Sequence, residues 1–419
     1  MHGTLVLDLL LSRQTSERAM HANGIVARVL GPCLYGLHAK RVTACQRAVV
    51  AVVLGASLSL STIALGVRSS SAYRHRIKCV DRLLGNAALQ ASRESIYAAV
   101  AARWLGGVRQ VLLVIDWSDL TSNQRWHWLR ASVAVEGRSV TLYEEAHPQR
   151  LLNHPNVHRR FLARVAKLLP PGCEPIVMTD AGFRAPWFKA VTARGWSFIG
   201  RIRGRALVRP AGSVWTSATG LHRQATERAR DLGLHDYAHA NPIVVRLILV
   251  KQRALGRHRL NMYGKRRTGR TSTKCARRAR EPWLLAASPC LAHLSARSIK
   301  RLYAQRMGIE QSFRDTKNLR WGQGLHSTRS RTPERLQMLL LIAHLAMFVQ
   351  RLIGEAAKAR QLELNFMATR RTTRPEISTL TLARRILLSP SASRWLDRLA
   401  PWAAIPPLRT QAVNACATT

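Results

Sequence analysis

The sequence predicts an α/β protein with helical ends, and three observations carry that prediction. Residues 1 to about 90 are helix-prone and basic, with no alternation of apolar and polar residues. From Val108 the texture changes to short apolar runs alternating with helical segments. Residues 204 to 284 interrupt that alternation with strand-like and highly basic sequence, after which two helical segments follow.

Taken in order, the N-terminal region first raises the question of a membrane span. Ala48 to Val67 carries no charge and has the length that crosses a bilayer. Gly55, Ser57, Ser59, Ser61, Thr62 and Gly66 weaken its second half, so a buried helix, a turn and a second short helix are expected. The start of the chain has no basic segment leading into an apolar one, so no signal peptide is expected. Leu58 to Asn86 has the pattern of a helix-turn-helix: a short apolar helix, a turn at Arg68 and the serines after it, then a basic helix through Arg74, Arg76, Lys78 and Arg82. An ordinary three-helix subdomain with solvated basic residues would read the same way.

Val111 to Ile115 predicts a buried strand ending at Asp116. Strands are expected at Ser132–Val135 and Ser139–Tyr143, then a helix over Arg159–Leu169 stopped by Pro170 and Pro171. Ile176–Met178 predicts another strand, ending at Thr179 and Asp180 before a turn. A helix over Pro186–Arg194 and a strand over Trp196–Ile202 follow. Within the interruption, Pro242–Val250 and Pro282–Ala286 are strand-like. Between them twelve Lys and Arg residues, from Lys251 to Arg280, occur without an acid. Such a run is a solvated face, a disordered tract or a surface for phosphate. One helix is expected over Ser298–Asn318 and another, apolar and in the core, over Pro333–Ala359. The division that results is 1–95, 96–203, 204–286, 287–359 and a basic region 360–419 with a possible part in dimerisation.

Composition narrows the function. At 47% hydrophobic the 419 residues can bury a core. Lys and Arg number 66 against 22 Asp and Glu, a formal charge of +44. A globular chain with that excess repels itself unless a polyanion neutralises it, and nucleic acid is the obvious one. Codon bias toward Arg accounts for part of the excess but not for the scarcity of acids. The seven cysteines are scattered with no CxxC pair, which argues against a zinc ribbon or a disulfide framework and for a reduced, cytoplasmic setting.

Few acids make the placed ones informative. Asp116 and Asp180 both follow apolar strands, and carboxylates at strand ends of an α/β sheet converge where ligands bind. Either alone could simply cap a turn. Asp119 competes with Asp116; Asp116 is preferred because it directly follows the strand. Arg306, Glu310 and Lys317 stand 3, 7 and 14 residues after Tyr303. On one helix these four side chains fall within an arc of about 60°, beside an apolar stripe of Leu302, Ile309 and Phe313. Surface ion pairing would explain Arg306 and Glu310 but not the tyrosine and the distant lysine. Three carboxylates beside cations suit phosphodiester chemistry, because acidic oxygens hold Mg²⁺ and cations fix flanking phosphates.

The spacing Tyr303, Arg306, Glu310, Lys317 resembles the Y-(2)-R-(3)-E-(6)-K signature of DDE transposases of bacterial insertion sequences (family four). The surrounding residues, Arg306 to Lys317 and Gly322 to Ser327, are similar to the Tn-ten-type subgroup. The segments Ile115–Asp119, Thr179–Phe183 and Arg76–Asn86 resemble further parts of it. The resemblance implies a ribonuclease-H-like catalytic core interrupted by a β-rich insertion, with a helical N-terminal DNA-binding domain and a helical C-terminal region. It implies Asp116, Asp180 and Glu310 as catalytic metal ligands for Mg²⁺, with Mn²⁺ as substitute. Tyr303, Arg306 and Lys317 would contact the element's DNA ends. Trp283 stands where relatives stack a flipped base, although a core aromatic would also fit. The expected partners are double-stranded DNA and a second copy of the chain in a synaptic dimer, with no membrane. A catalytically inactive DNA-binding relative and a ribonuclease-H-like nuclease without strand transfer remain as alternatives.

Overall fold

The computed structural model describes residues 22–135, 138–204, 206–252, 281–320, 322–367 and 377–389, with 265, 266, 268–270, 272, 273, 391 and 395. The first 21 residues, most of the basic run between Lys251 and Arg280 and most of the region beyond 367 lie outside the described residues.

After a helical stretch over residues 22–30, the N-terminal helices are α1 (Ala39–Val53), α2 (Leu60–Gly66), α3 (Tyr73–Leu84), α4 (Ala87–Ala91) and α5 (Arg93–Leu105). The uncharged stretch 48–67 is the end of α1, a turn and α2, as the weak second half predicted. Ser59 caps α2 by accepting from the Thr62 amide, which satisfies one of the orphan donors of the first turn. The apolar helix and basic helix expected between Leu58 and Asn86 are α2 and α3. Helix α10 (Pro333–Ala359) is apolar enough to cross a membrane, but 83% of its most apolar window is buried inside the protein, so it is the core helix expected. It packs against α1, against α11 (Thr379–Leu388) and against the sheet.

Among the described residues one ten-stranded sheet runs in the order β3-β2-β1-β4-β5-β10-β9-β8-β6-β7. The strands are β1 (Gln110–Asp119), β2 (Trp126–Val135), β3 (Arg138–Pro148), β4 (Glu174–Thr179), β5 (Ser197–Ile202), β6 (Leu207–Pro210), β7 (Thr216–Ser217), β8 (Arg230–Tyr237), β9 (Ile243–Val250) and β10 (Trp283–Ala287). The β1–β4 and β4–β5 pairs are parallel, and the other pairs are antiparallel. Helix α6 (Pro155–Leu168) leads from β3 to β4, and α7 (Ala185–Thr192) joins the parallel pair β4 and β5.

Two expectations are corrected. Asp116 does not end its strand: β1 continues to Asp119, because β2 pairs along it as far as His127. Strands β2 and β3 are longer than the apolar runs that announced them, because Arg130, Glu144 and Glu145 are buried within them. Within the interruption, the described strands join the same sheet as the core strands. Strand β10 pairs with β5, and β9, β8, β6 and β7 extend the same sheet from there. Strands β6 to β8 escaped prediction because their faces are largely exposed and polar, without a buried alternation.

Candidate active site

The helix expected over Ser298–Asn318 is two helices, α8 (Ala296–Ala304) and α9 (Met307–Lys317). Gln305 and Arg306 form the joint. The amides of Gln305, Arg306, Gly308 and Ile309 each bond to the carbonyl three residues back, which tightens the turn without reversing the chain. Ser295 caps α8 by accepting from the Ser298 amide. Helix α9 lies on β1, β2 and β3. Gly308 allows this close approach: a Cβ there would stand 2.5 Å from the Arg138 carbonyl oxygen on β3.

This docking brings the sequence-predicted acids to one cleft. Asp116 on β1, Asp180 just after β4 and Glu310 on α9 all line an opening of about 510 Å³, together with Arg306, Lys317, Ser118 and His326. Arg306 spans it. Its guanidinium donates to Asp116 Oδ2 at 3.0 Å and to Glu310 Oε1 at 2.8 Å. Farther along α9, Lys317 Nζ donates to Ser118 Oγ at 2.6 Å. Ser118 was missed at the sequence level, though its position two residues beyond Asp116 puts both on one face of the strand. Asp119, the competing acid, lies at the rim within reach of His127 and is not among the residues lining the cleft.

The electrostatics follow from this crowding. Burial raises the Asp116 carboxyl to about 7, and the nearby Asp180 charge adds to the rise; Arg306 and the Trp117 amide oppose it. Burial lowers the Lys317 ammonium to about 8. The Arg306 guanidinium is held more firmly protonated than usual by Tyr303, Asp116 and Glu310, against the effect of its burial.

Tyr303 is turned away from the line of the other signature residues, while Trp283 lies in the strand before the signature helix, as expected. Tyr303 is only 3% exposed, and burial raises its phenol to about 12. Its ring meets Trp283 edge to face, with centroids 5.1 Å apart. The phenol therefore does not stand on the open surface beside Arg306. The turn at 305–306 breaks the single helical line that would have carried all four signature residues outward. Trp283 is half-buried at the start of β10, packed on the core.

Among the described residues no three His, Cys, Asp or Glu side chains stand close enough together to hold one ion. Arg306 lies between two of the carboxylates instead. The donors nevertheless suit a hard divalent cation: they are carboxylate oxygens, and the burial and the nearby Asp180 charge that raise Asp116 are what such a cation would offset. When bound, such ions polarise a phosphoryl oxygen and stabilise developing charge.

The sequence family described as transposase DDE domain matches residues 109–349, more than half of the chain. The chain belongs to that family. The match starts at the edge of β1 and ends within α10, so every cleft residue falls inside the transposase domain. No curated protein matches the chain. Among solved structures, the cryo-electron microscopy structure of the piggyBac transposase synaptic complex with hairpin DNA is similar at a TM-score of 0.43 and 10% identity, over 92% of this chain and 77% of that one. DDE transposases are enzymes of transposition that generally use divalent metal ions, and this transposase presents three acids in one cleft.

Proposed function

We propose that this transposase cuts and rejoins DNA at the inverted-repeat ends of an insertion sequence by a cut-and-paste route, as a member of the Tn-ten-type subgroup. Asp116, Asp180 and Glu310 are its catalytic carboxylates, with Mg²⁺ as the working ion and Mn²⁺ as a substitute. The observation that carries this reading is the convergence of these acids, from distant parts of the sequence, on one cleft spanned by Arg306.

Each residue then has a task. Water attacks a phosphodiester at each element end and frees a 3′-OH. That hydroxyl attacks a phosphodiester of the opposite strand, whose bond to the flanking DNA breaks with the flanking 3′-oxygen leaving as an alcohol, and a hairpin closes on the element end. A second hydrolysis opens the hairpin, and the 3′-OH attacks target DNA. Arg306 and Lys317 hold the phosphates flanking the reacting bond, and Arg306 exchanges its carboxylate partners for phosphate as DNA enters. Tyr303 supports Trp283 from below, and Trp283 stacks a base displaced during hairpin closure. The helix pair α2–α3 grips the element end through the basic face of α3, and two copies of the chain bridge two ends in the cytoplasm, at the nucleoid.

A supercoiled plasmid carrying two element ends tests the reading in Mg²⁺. The wild type should release the element and join it to a target, while Glu310→Gln and Asp116→Asn should bind ends and leave them uncut. Cleavage by Glu310→Gln would remove that carboxylate from the assignment. Cleavage by the wild type without joining would replace the transposition scheme with simple nuclease action.

A further inference from the structure

A second constellation lies beneath the cleft, on the same face of the sheet. Asp116, Arg130 and Glu144 are directly opposite one another on β1, β2 and β3, so the three side chains form one row across the strands. Helix α9 covers this row. Arg130 is 1% exposed and Glu144 is fully buried. The guanidinium Nε donates to Glu144 Oε2 at 2.8 Å. Its remaining nitrogens point at the helix, with Nη1 donating to Ser312 Oγ at 2.7 Å and Nη2 to Thr316 Oγ1 at 3.3 Å. The Trp128 ring supports it from the sheet side, 3.9 Å from the guanidinium carbon. Glu144 is completed by the Trp128 indole N–H at 2.8 Å and the Tyr97 hydroxyl at 3.1 Å.

A buried ion pair is poor value as glue, because the desolvation of both charges offsets most of their attraction. Apolar side chains of the same volume would hold α9 about as firmly, but they would not fix its rotation or its slide along the sheet. A planar guanidinium with three directed bonds does both. Ser312 and Thr316 are four residues apart, so both hydroxyls lie on one face of α9, and Glu310 belongs to the same helix. Glu144 has a second effect. It occupies Arg130 on one side, and the next acid along the row is Asp116.

We propose that Arg130, fixed by Glu144, is the positioning residue for the third carboxylate: it sets the register of α9 on the sheet through Ser312 and Thr316, and so places Glu310 opposite Asp116. This inference rests on the role assigned to Glu310 above. Displacement of a catalytic group by about 1 Å costs on the order of a hundredfold in rate, which is the scale on which such a clamp matters.

The test removes only the link to the helix. Ser312→Ala with Thr316→Val deletes both acceptors on α9 and keeps the Arg130–Glu144 pair. Element-end affinity should stay within about twofold, while first-strand cleavage at saturating DNA falls by about ten- to a hundredfold. Mn²⁺ binding to the protein bound to element-end DNA, read by electron paramagnetic resonance, should weaken by about tenfold, since a shifted Glu310 no longer meets Asp116 and Asp180. Thr316→Ser keeps the hydroxyl and should leave both readouts within about threefold of wild type. A double variant that is folded by circular dichroism yet cuts and binds Mn²⁺ like the wild type overturns the clamp. If the double variant does not fold, Ser312→Ala alone decides: a rate and Mn²⁺ affinity equal to wild type overturn the proposal, and a loss of about fivefold or more in both supports it. Wild type and Glu310→Gln are measured alongside. A wild type that fails to cut rejects the functional reading itself, whereas an active wild type beside an equally active double variant rejects the clamp alone.

Discussion

Asp116→Asn should make this protein more stable at neutral pH while destroying its activity. The Asp116 carboxyl rises from 3.8 to about 7 on folding, chiefly through burial and then through the neighbouring Asp180. Between those values the unfolded chain gives up the proton and the folded chain keeps it. The stabilising contribution of this group is therefore fully present below about pH 4 and declines as pH rises to about 7, beyond which the loss is complete. A rise of that size corresponds to roughly 4 kcal/mol, with 1.4 kcal/mol per tenfold change in proton affinity. Arg306 is already counted as an opposing influence, but asparagine leaves it with Glu310 alone, so a net gain of about 1–3 kcal/mol above pH 7 is the expected result. Urea unfolding of wild type and variant at a series of pH values from about 5 to 8 reads this directly. The two stabilities should diverge as pH increases, with the variant ahead. Added Mn²⁺ should stabilise the wild type and leave the variant unchanged. Parallel pH curves, or a variant less stable than wild type at about pH 8, would show that Asp116 is comfortably ionised and that the crowding described here is wrong.

Three further outcomes follow from the geometry. Gly308→Ala forces a Cβ against the Arg138 carbonyl, so α9 must lift from β3; thermal unfolding should show a loss of about 1–3 kcal/mol, and cleavage should fall with it. Arg306→Gln frees Asp116 and Glu310 of their bridging cation, so Mn²⁺ should bind more tightly in the absence of DNA while element-end binding weakens and its dependence on salt concentration becomes shallower. Trp283→Ala removes a half-buried ring from beside Tyr303; with base stacking as proposed, first-strand nicks should still form while hairpins are lost, as seen on denaturing gels.

Much of this was legible in the sequence. The apolar run before Asp116, the turn after Asp180 and the spacing from Tyr303 to Lys317 named the acids that share the cleft. The 48–67 stretch was resolved into two helices by counting its serines and glycines. What the sequence concealed is physically consistent. Periodicity assumes an unbroken helix, so the tight joint at Gln305 and Arg306, which sends Tyr303 inward and Arg306 across the cleft, had no signature. Hydrophobic pattern treats Arg130 and Glu144 as strand breakers, because nothing local shows that each is the other's partner 14 residues away. The union of the 204–286 strands with the core sheet depends on β10 pairing with β5, a contact between segments about eighty residues apart that no short window contains.

That union has a mechanical consequence. The strand carrying Trp283 is laddered to β5, β5 to β4, and β4 ends where Asp180 begins. Aromatic and acid thus stand on a common girder whose spacing is set by backbone bonds rather than by a movable lobe. On the proposed reading, in which DNA engages both, the duplex supplies the bending itself, which would favour element ends whose terminal base steps unstack easily.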